Sequence, residues 1–159
     1  MRYLLILLFL GLMLNTHAQQ IKTVTPTWVD EITASKSDTL IIVNFWATWC
    51  KPCVEELPYF EQLADSLKNK KAKIYLVTTD MRKDIATRVT DFIKAKKLTQ
   101  QVVFINEVNA DKWINKVGEE WSGAIPATLM IKGDIGFRYF KEGELTFDEL
   151  EGLVKQVMQ

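Results

Sequence analysis

Histidine and cysteine are the scarcest reactive residues of this 159-residue chain, which contains one histidine and two cysteines. The histidine, His17, belongs to an N-terminal segment with the pattern of a cleavable leader. Its removal would exclude Cys–His proteases, Ser–His–Asp hydrolases and haem or copper sites built on imidazole. A structural zinc site needs about four nitrogen or sulfur ligands, which two cysteines cannot supply. We therefore expect neither a metal ion nor a cofactor.

An excess of charge of either sign is also absent, because 20 basic residues balance 20 acidic residues. This balance gives no indication of a nucleic-acid partner held by bulk electrostatics. Apolar residues make up 48% of the chain and charged residues 25%, which is typical of a globular protein. We find no internal repeat, low-complexity segment or linker rich in Pro, Gly or Ser, so we expect one α/β domain.

The N-terminus has the features of an export signal. Met1–Arg2 supplies a positive charge, and the apolar run Tyr3–Leu14 follows it. Thr16 and Ala18 are small residues at the third and first positions before a signal-peptidase cut that would follow Ala18. The sequence therefore predicts a signal peptide at 1–18, a mature domain at 19–159 and export to a bacterial periplasm. An uncleaved membrane anchor is the alternative, although the run is short for a permanent span.

The pattern of apolar residues predicts alternating strands and helices. Strands are predicted at Ile21–Val24, Thr39–Trp46, Lys73–Thr79, Val102–Ile105, Ala127–Ile131 and Ile135–Phe140. Helices are predicted at Trp28–Ile32, Pro52–Leu67, Asp84–Lys97, Ala110–Val117 and Thr146–Val157, the last opened by a capping-box pattern. Pro58 should kink the second of these helices. Such alternation indicates parallel strands joined by right-handed crossovers, with a hairpin around Gly133 at one edge.

The two cysteines form a Cys50-Lys51-Pro52-Cys53 motif between a buried strand and a helix start. Unpaired N–H groups and the helix dipole at that position favour a thiolate and lower the pKa of Cys50. Lys51 adds a positive charge, and Pro52 suits a first helical turn because it needs no N–H there. Cys50 would attack a partner disulfide, and Cys53 would then attack Cys50 and release the reduced partner.

Two structural interpretations of the pair compete with this one. A purely structural disulfide would close a very small loop and would gain little from chain entropy. Two inert buried cysteines are the other possibility. A Cys-x-x-Cys motif near a βαβ pattern favours a redox role.

The segment Val43–Cys53 resembles the active-site segment of the thioredoxin superfamily, and more narrowly that of the exported TlpA/ResA-type thiol–disulfide oxidoreductases. The resemblance covers essentially the whole mature chain. It implies a thioredoxin-like fold, an α/β architecture with a mixed central sheet flanked by helices. It also implies an extra strand and helix around Val102–Val117, inserted before the strand that follows a cis-proline.

Two positions differ from cytoplasmic thioredoxin. Asn44 stands where that protein usually has a buried Asp, and Asn cannot accept a proton. Glu56, followed by Leu57 and Pro58, matches a Glu that the TlpA/ResA-type proteins carry three residues after the second cysteine. Glu56 shares a helix face with Cys53, and a partly buried Glu can exchange protons with a thiol near neutral pH. The alternative is a solvated Glu56, like its neighbour Glu55.

Ile125-Pro126 resembles the cis-proline of this fold, whose preceding residue pairs through its backbone with the substrate peptide. An ordinary trans turn before a strand is the alternative. Trp46 should pack in the core, and Trp121 could either contact a partner or pack. The predicted catalytic residues are Cys50, Cys53 and Glu56, and the predicted substrate-binding residues are Trp49, Lys51, Pro52, Ile125 and Pro126.

The resemblance implies an enzyme that reduces disulfides of client proteins outside the cytoplasm, with a membrane thiol carrier as electron donor. We expect a monomer. Three other functions are open, namely a dithiol oxidant, a thiol peroxidase and a peptide-binding module without catalysis. A thiol peroxidase usually has Thr three residues before its reactive cysteine, where this chain has Ala47.

Overall fold

The computed structural model describes residues 20–158, so the predicted signal peptide lies outside the described residues. The strands are β1 Lys22–Val24, β2 Leu40–Trp46, β3 Ala72–Thr78, β4 Gln101–Ile105, β5 Ala127–Lys132 and β6 Phe137–Glu142. The helices are α1 Thr27–Thr33, α2 Lys51–Ser66, α3 Arg82–Asp84, α4 Thr90–Lys96, α5 Asp111–Val117 and α6 Phe147–Val157. Across residues 20–158, none of the helices has the length and apolar character needed to cross a bilayer.

The six strands form one mixed sheet in the order β1-β4-β3-β2-β5-β6. Strands β1, β4, β3 and β2 are parallel, whereas β5 runs antiparallel to β2, and β6 antiparallel to β5. All seven residues of β2 are buried, because β2 lies inside the sheet and both its faces are covered. This explains its nearly continuous apolar sequence. The predicted mixed sheet flanked by helices is confirmed, with β4 and α5 in the predicted insertion.

Side chains of β2 alternate between two apolar cores, one on each face of the sheet. Ile41, Val43 and Phe45 pack in the core that includes residues of α1 and α5. Leu40, Ile42 and Trp46 pack in the core that includes residues of α2 and α6. Asn44 lies between Ile42 and Trp46 in this alternation, so its side chain points toward α2.

The predicted helix Asp84–Lys97 is divided by a π-helical segment, Ile85–Val89, between α3 and α4. The Thr90 hydroxyl donates to the Ile85 carbonyl at 2.8 Å, five residues back. Helix α2 continues through Pro58 to Ser66. The predicted capping box is confirmed, because Thr146 and Glu149 exchange side-chain and backbone hydrogen bonds at the start of α6.

The predicted strand Ile135–Phe140 was misplaced, because the segment Gly133–Ile135 forms a 3₁₀ turn and β6 begins at Phe137. Gly133 closely approaches the backbone of another part of the chain. A Cβ atom there would lie 1.8 Å from the Ser35 carbonyl oxygen. Gly136 ends the turn with a φ of +65°, a conformation that glycine adopts without steric cost.

Candidate active site

Cys50 and Cys53 form a disulfide at the N-terminus of α2, with their Cα atoms 5.3 Å apart. Cys50 is the N-cap residue, and its sulfur accepts a hydrogen bond from the Cys53 N–H at 3.3 Å. Cys50 keeps 6% of its surface exposed, whereas Cys53 is completely buried. Cys50 is therefore the sulfur that a partner can reach, and Cys53 is the shielded one.

The residues next to the disulfide differ in exposure and in their contacts. Trp49 is 63% exposed beside Cys50, whereas Trp46 is completely buried, as predicted for each. Lys51 pairs with Glu55 at 3.7 Å, but both side chains are well exposed, so this pair contributes little stability. Pro52 lies in the first turn of α2, where its missing N–H costs no helical hydrogen bond.

The loop before β5 forms the other side of the disulfide. The Ile125–Pro126 bond is cis, as predicted. The Ile125 carbonyl oxygen lies 3.7 Å from the Cys50 sulfur. A disulfide sulfur carries no proton, so this is a packing contact in the oxidised state. The structure thus brings the predicted backbone site of Ile125 next to Cys50.

Trp121 supports this loop from inside the protein. Its indole N–H donates to the Ala124 carbonyl at 2.8 Å, and its ring lies 4.6 Å from that of Phe45. Only 4% of Trp121 is exposed. Of the two predicted alternatives for Trp121, packing is therefore the one the structure supports.

Glu56 lies in the first half of α2 and is 2% exposed, so the solvated alternative is wrong. Its Oε1 accepts a hydrogen bond from Asn44 Nδ2 at 2.6 Å, and its Oε2 accepts one from the Leu145 N–H at 2.9 Å. Burial raises the pKa of Glu56 to about 7, although both hydrogen bonds oppose the shift by favouring the ionised form. The nearby Glu144 carboxylate raises the pKa further, and Lys141 lowers it.

Asn44 links this carboxyl to the neighbouring strand. Its Nδ2 also donates to the Thr128 hydroxyl at 3.2 Å, across the β2–β5 pairing. Its Oδ1 is buried without a hydrogen-bond partner. Sequence reasoning named Asn44 only for the proton it cannot accept, and it missed Thr128 and Leu145. The alternation of β2 was the available signal for Asn44, since it places that side chain on the face toward α2.

The hydrogen bonds of Glu56 thus go to Asn44 and Leu145, while Cys53 lies one helical turn earlier on the same helix. Residues i and i+3 of a helix are neighbours on its surface. The arrangement places a carboxyl that titrates near neutral pH one turn from the buried cysteine. Within residues 20–158, no group of three or more His, Cys, Asp or Glu residues could hold a metal ion.

A thioredoxin-like fold with a Cys-x-x-Cys pair at the helix start after its central strand defines a protein of the thioredoxin superfamily. The chain belongs to the AhpC/TSA family, whose model matches residues 16–139.

Known relatives agree with this assignment. Thiol-disulfide oxidoreductase ResA of Oceanobacillus iheyensis is 33% identical over 133 residues, which cover 81% of this chain and 64% of that protein. The crystal structure of StoA from Bacillus subtilis matches with 26% identity and a TM-score of 0.55, over 73% of this chain and 82% of that chain. These matches confirm the predicted resemblance to ResA-type proteins.

A further solved structure supports the fold alone. The thioredoxin-related protein from Neisseria meningitidis serogroup B has a TM-score of 0.65 at 24% identity, over 79% of this chain and 89% of that chain. The present chain spans less than two thirds of the length of the first curated relatives it matches.

Proposed function

We propose that this protein is an exported thiol–disulfide oxidoreductase that reduces disulfides of client proteins through Cys50 and Cys53. The observation that carries the proposal is the disulfide at the start of α2, with one slightly exposed and one buried sulfur. The names of relatives such as the Oceanobacillus iheyensis oxidoreductase support the same chemistry.

The dithiol form would act in two steps. The Cys50 thiolate attacks one sulfur of a client disulfide, a Cys50–client disulfide forms, and the other client sulfur leaves as a thiolate that takes up a proton. Cys53 then loses its proton and attacks the Cys50 sulfur, which breaks the mixed disulfide and releases the second client thiol. The client gains two electrons, and the protein ends in the oxidised state that the structure contains.

Glu56 is the group we propose to take the proton from Cys53. Its pKa of about 7 means that the carboxyl exists in both protonation states near neutral pH. A base with such a pKa can accept a thiol proton and return it with little free-energy cost.

Client proteins would bind at the edge where the parallel strands end. The loops after β2, β3 and β4 each present one exposed apolar side chain there, Trp49, Met81 and Val108. A client peptide would pair with the backbone of Ile125, which lies next to the Cys50 sulfur. Exposed apolar side chains along the sheet edge that carries Cys50 suit a macromolecular client better than a small thiol.

The direction of electron flow and the export of the protein are also part of the proposal. A reductase supplied by a membrane thiol carrier should have a reduction potential nearer to about −270 mV than to about −120 mV, the values of thioredoxin and of a strong oxidant. Equilibration with glutathione buffers measures this potential, and a value near the oxidant's would reverse the assigned direction. The mass of the protein isolated from the cell envelope tests the cleavage, and we expect the mass of a chain that begins at Gln19.

A trapping experiment tests the assigned roles of the two cysteines. We expect Cys53→Ser to accumulate mixed disulfides with envelope proteins, because Cys50 can still attack and the releasing thiol is gone. The matched Cys50→Ser variant should form few adducts, because its remaining thiol is completely buried. Non-reducing gels followed by mass spectrometry identify the adducts. The reverse pattern would exchange nucleophile and resolving residue.

Peroxide reduction is the main alternative within a family named for AhpC/TSA proteins. The position three residues before Cys50 is the buried Ala47, which has no hydroxyl. The nearest hydroxyl in sequence, that of Thr48, donates to Asp80 at 2.6 Å. We therefore expect slow peroxide consumption compared with insulin reduction, and the opposite ratio would favour a peroxidase.

A further inference from the structure

Asp80, two residues after β3, is a buried acidic residue outside the site described above. Its side chain has no exposed surface. Its carboxylate accepts three hydrogen bonds, from the Thr48 N–H at 2.9 Å, the Thr48 hydroxyl at 2.6 Å and the Thr78 hydroxyl at 2.8 Å. A buried carboxylate is costly unless it is hydrogen-bonded or paired, so such a cluster requires an explanation.

The cluster holds the turn that leads into the disulfide. Thr48 lies two residues before Cys50, and the Cys50 N–H donates to the Ala47 carbonyl at 3.2 Å, which closes the turn. Thr48 offers both its backbone N–H and its hydroxyl to one carboxylate, so neither its backbone nor its side chain can move independently. Asp80 thus anchors the turn from the loop that follows the neighbouring strand β3.

A second contact fixes the same two strand ends. The N–H and hydroxyl of Thr79 both donate to the carbonyl of Trp46, which is the last residue of β2. On its other side, Asp80 faces Arg88, whose Nε lies 3.9 Å from Oδ1. Arg88 belongs to the π-helical segment and also pairs with Asp84 at 2.5 Å. The carboxylate therefore connects the turn before Cys50 to the irregular part of the α3–α4 region.

We propose that Asp80 is a positioning residue that holds the Cys50 sulfur in place through Thr48. That sulfur needs two distances at once, 3.3 Å to the Cys53 nitrogen and 3.7 Å to the Ile125 oxygen. The first stabilises a Cys50 thiolate, and the second places the sulfur beside the backbone where a client would bind. A displaced turn would change both distances. This inference rests on the proposed dithiol exchange.

The test compares four variants with the wild type by insulin reduction and by equilibration with glutathione. Thr48→Val keeps the side-chain shape and removes the hydroxyl, whereas Thr48→Ser keeps the hydroxyl. Asp80→Asn removes the charge. Asp84→Asn is the matched control, because it removes the other partner of Arg88 and leaves Thr48 bound.

We expect kcat/KM to fall about tenfold in Thr48→Val, the size of one hydrogen bond to a charged group. The kcat/KM of Asp80→Asn should fall about 10- to 100-fold, as expected for a displaced reacting group. A less stable thiolate also disfavours the dithiol form. The reduction potentials of Thr48→Val and Asp80→Asn should therefore become more negative, by about 30 mV for each tenfold change in equilibrium constant. Thr48→Ser and Asp84→Asn should resemble the wild type.

If the rates of Thr48→Val and Asp80→Asn, and their equilibrium constants with glutathione, stay within twofold of the wild type, the inference is overturned and Asp80 keeps a role in stability alone. A Thr48→Ser variant as slow as Thr48→Val would also overturn it. If Asp80→Asn does not fold, the Thr48 pair still decides the question. A wild type that reduces no protein disulfide would instead reject the proposed function, so the two failures are distinguishable.

Discussion

Replacing Glu56 by Gln is expected to slow the release of mixed disulfides and to flatten the pH dependence of that step near pH 7. The carboxyl has a pKa of about 7, and burial is the main cause. Above this pH the ionised form can take the proton of Cys53, whereas Gln can take none at any pH. Stopped-flow reduction between about pH 5 and about pH 9 spans the titration of the carboxyl and of a thiol.

The same substitution should change how stability depends on pH. The folded pKa of about 7 lies above the ordinary value of 4.5. The folded state therefore holds this proton more tightly than the unfolded chain does. The resulting stabilisation is complete below pH 4.5 and is lost as the pH rises through 7, about 3 kcal/mol in all. Urea unfolding of the oxidised protein should show this loss in the wild type and not in Glu56→Gln.

Gln is a suitable replacement because its partners can accommodate it. The Leu145 N–H still finds an oxygen acceptor, and the unpartnered Oδ1 of Asn44 can accept from the new amide after that side chain rotates. Glu55→Gln is the matched control, since Glu55 lies on the same helix with an exposed side chain. Identical pH profiles for wild type, Glu56→Gln and Glu55→Gln would remove Glu56 from the mechanism.

Asn44→Asp should be the most destabilising single change in the site at alkaline pH. It replaces the donor 2.6 Å from Glu56 by a second carboxyl, inside a region where both residues are buried. Two carboxylates at this distance cannot both ionise, so the pair should keep one shared proton well above pH 7. Folding at pH 8 must then take up a proton that the unfolded carboxyls have lost, so we expect a loss of about 3–5 kcal/mol there and a smaller one at pH 5.

A double variant tests this explanation. In Asn44→Asp/Glu56→Gln the hydrogen bond is reversed, because the new amide donates to the new carboxylate and only one acid remains. The double variant should regain most of the stability that Asn44→Asp loses at pH 8, a coupling that a double-mutant cycle measures directly. Thr128→Val is the control that removes a hydroxyl neighbour of Asn44 without adding charge. If the stability losses of Asn44→Asp and Glu56→Gln simply add up to the loss of the double variant, the proposed interaction is contradicted.

The sequence by itself determined the features that depend on residues close together in the chain. The spacing of Cys50 and Cys53 at a helix start, the buried run of β2 and the capping box of α6 are all present as predicted. Periodicity, caps and short loops act over a few residues, and their geometry follows from the backbone alone. The cis bond before Pro126 came from the family resemblance, and the structure contains it.

The tertiary structure decided what each polar side chain of the site contacts. The pKa of Glu56 is about 7 because α2 packs against β2 and the start of α6 and buries the carboxyl. The same packing brings the Leu145 N–H to Glu56 from 89 positions away. Thr48 meets Asp80 across 32 positions because β2 and β3 are adjacent and parallel. The misplaced start of β6 has the same origin, since Gly133 passes against Ser35. Such contacts depend on how distant segments of the chain pack, and local sequence patterns do not specify that packing. Burial and hydrogen bonding then set the chemistry of each polar group.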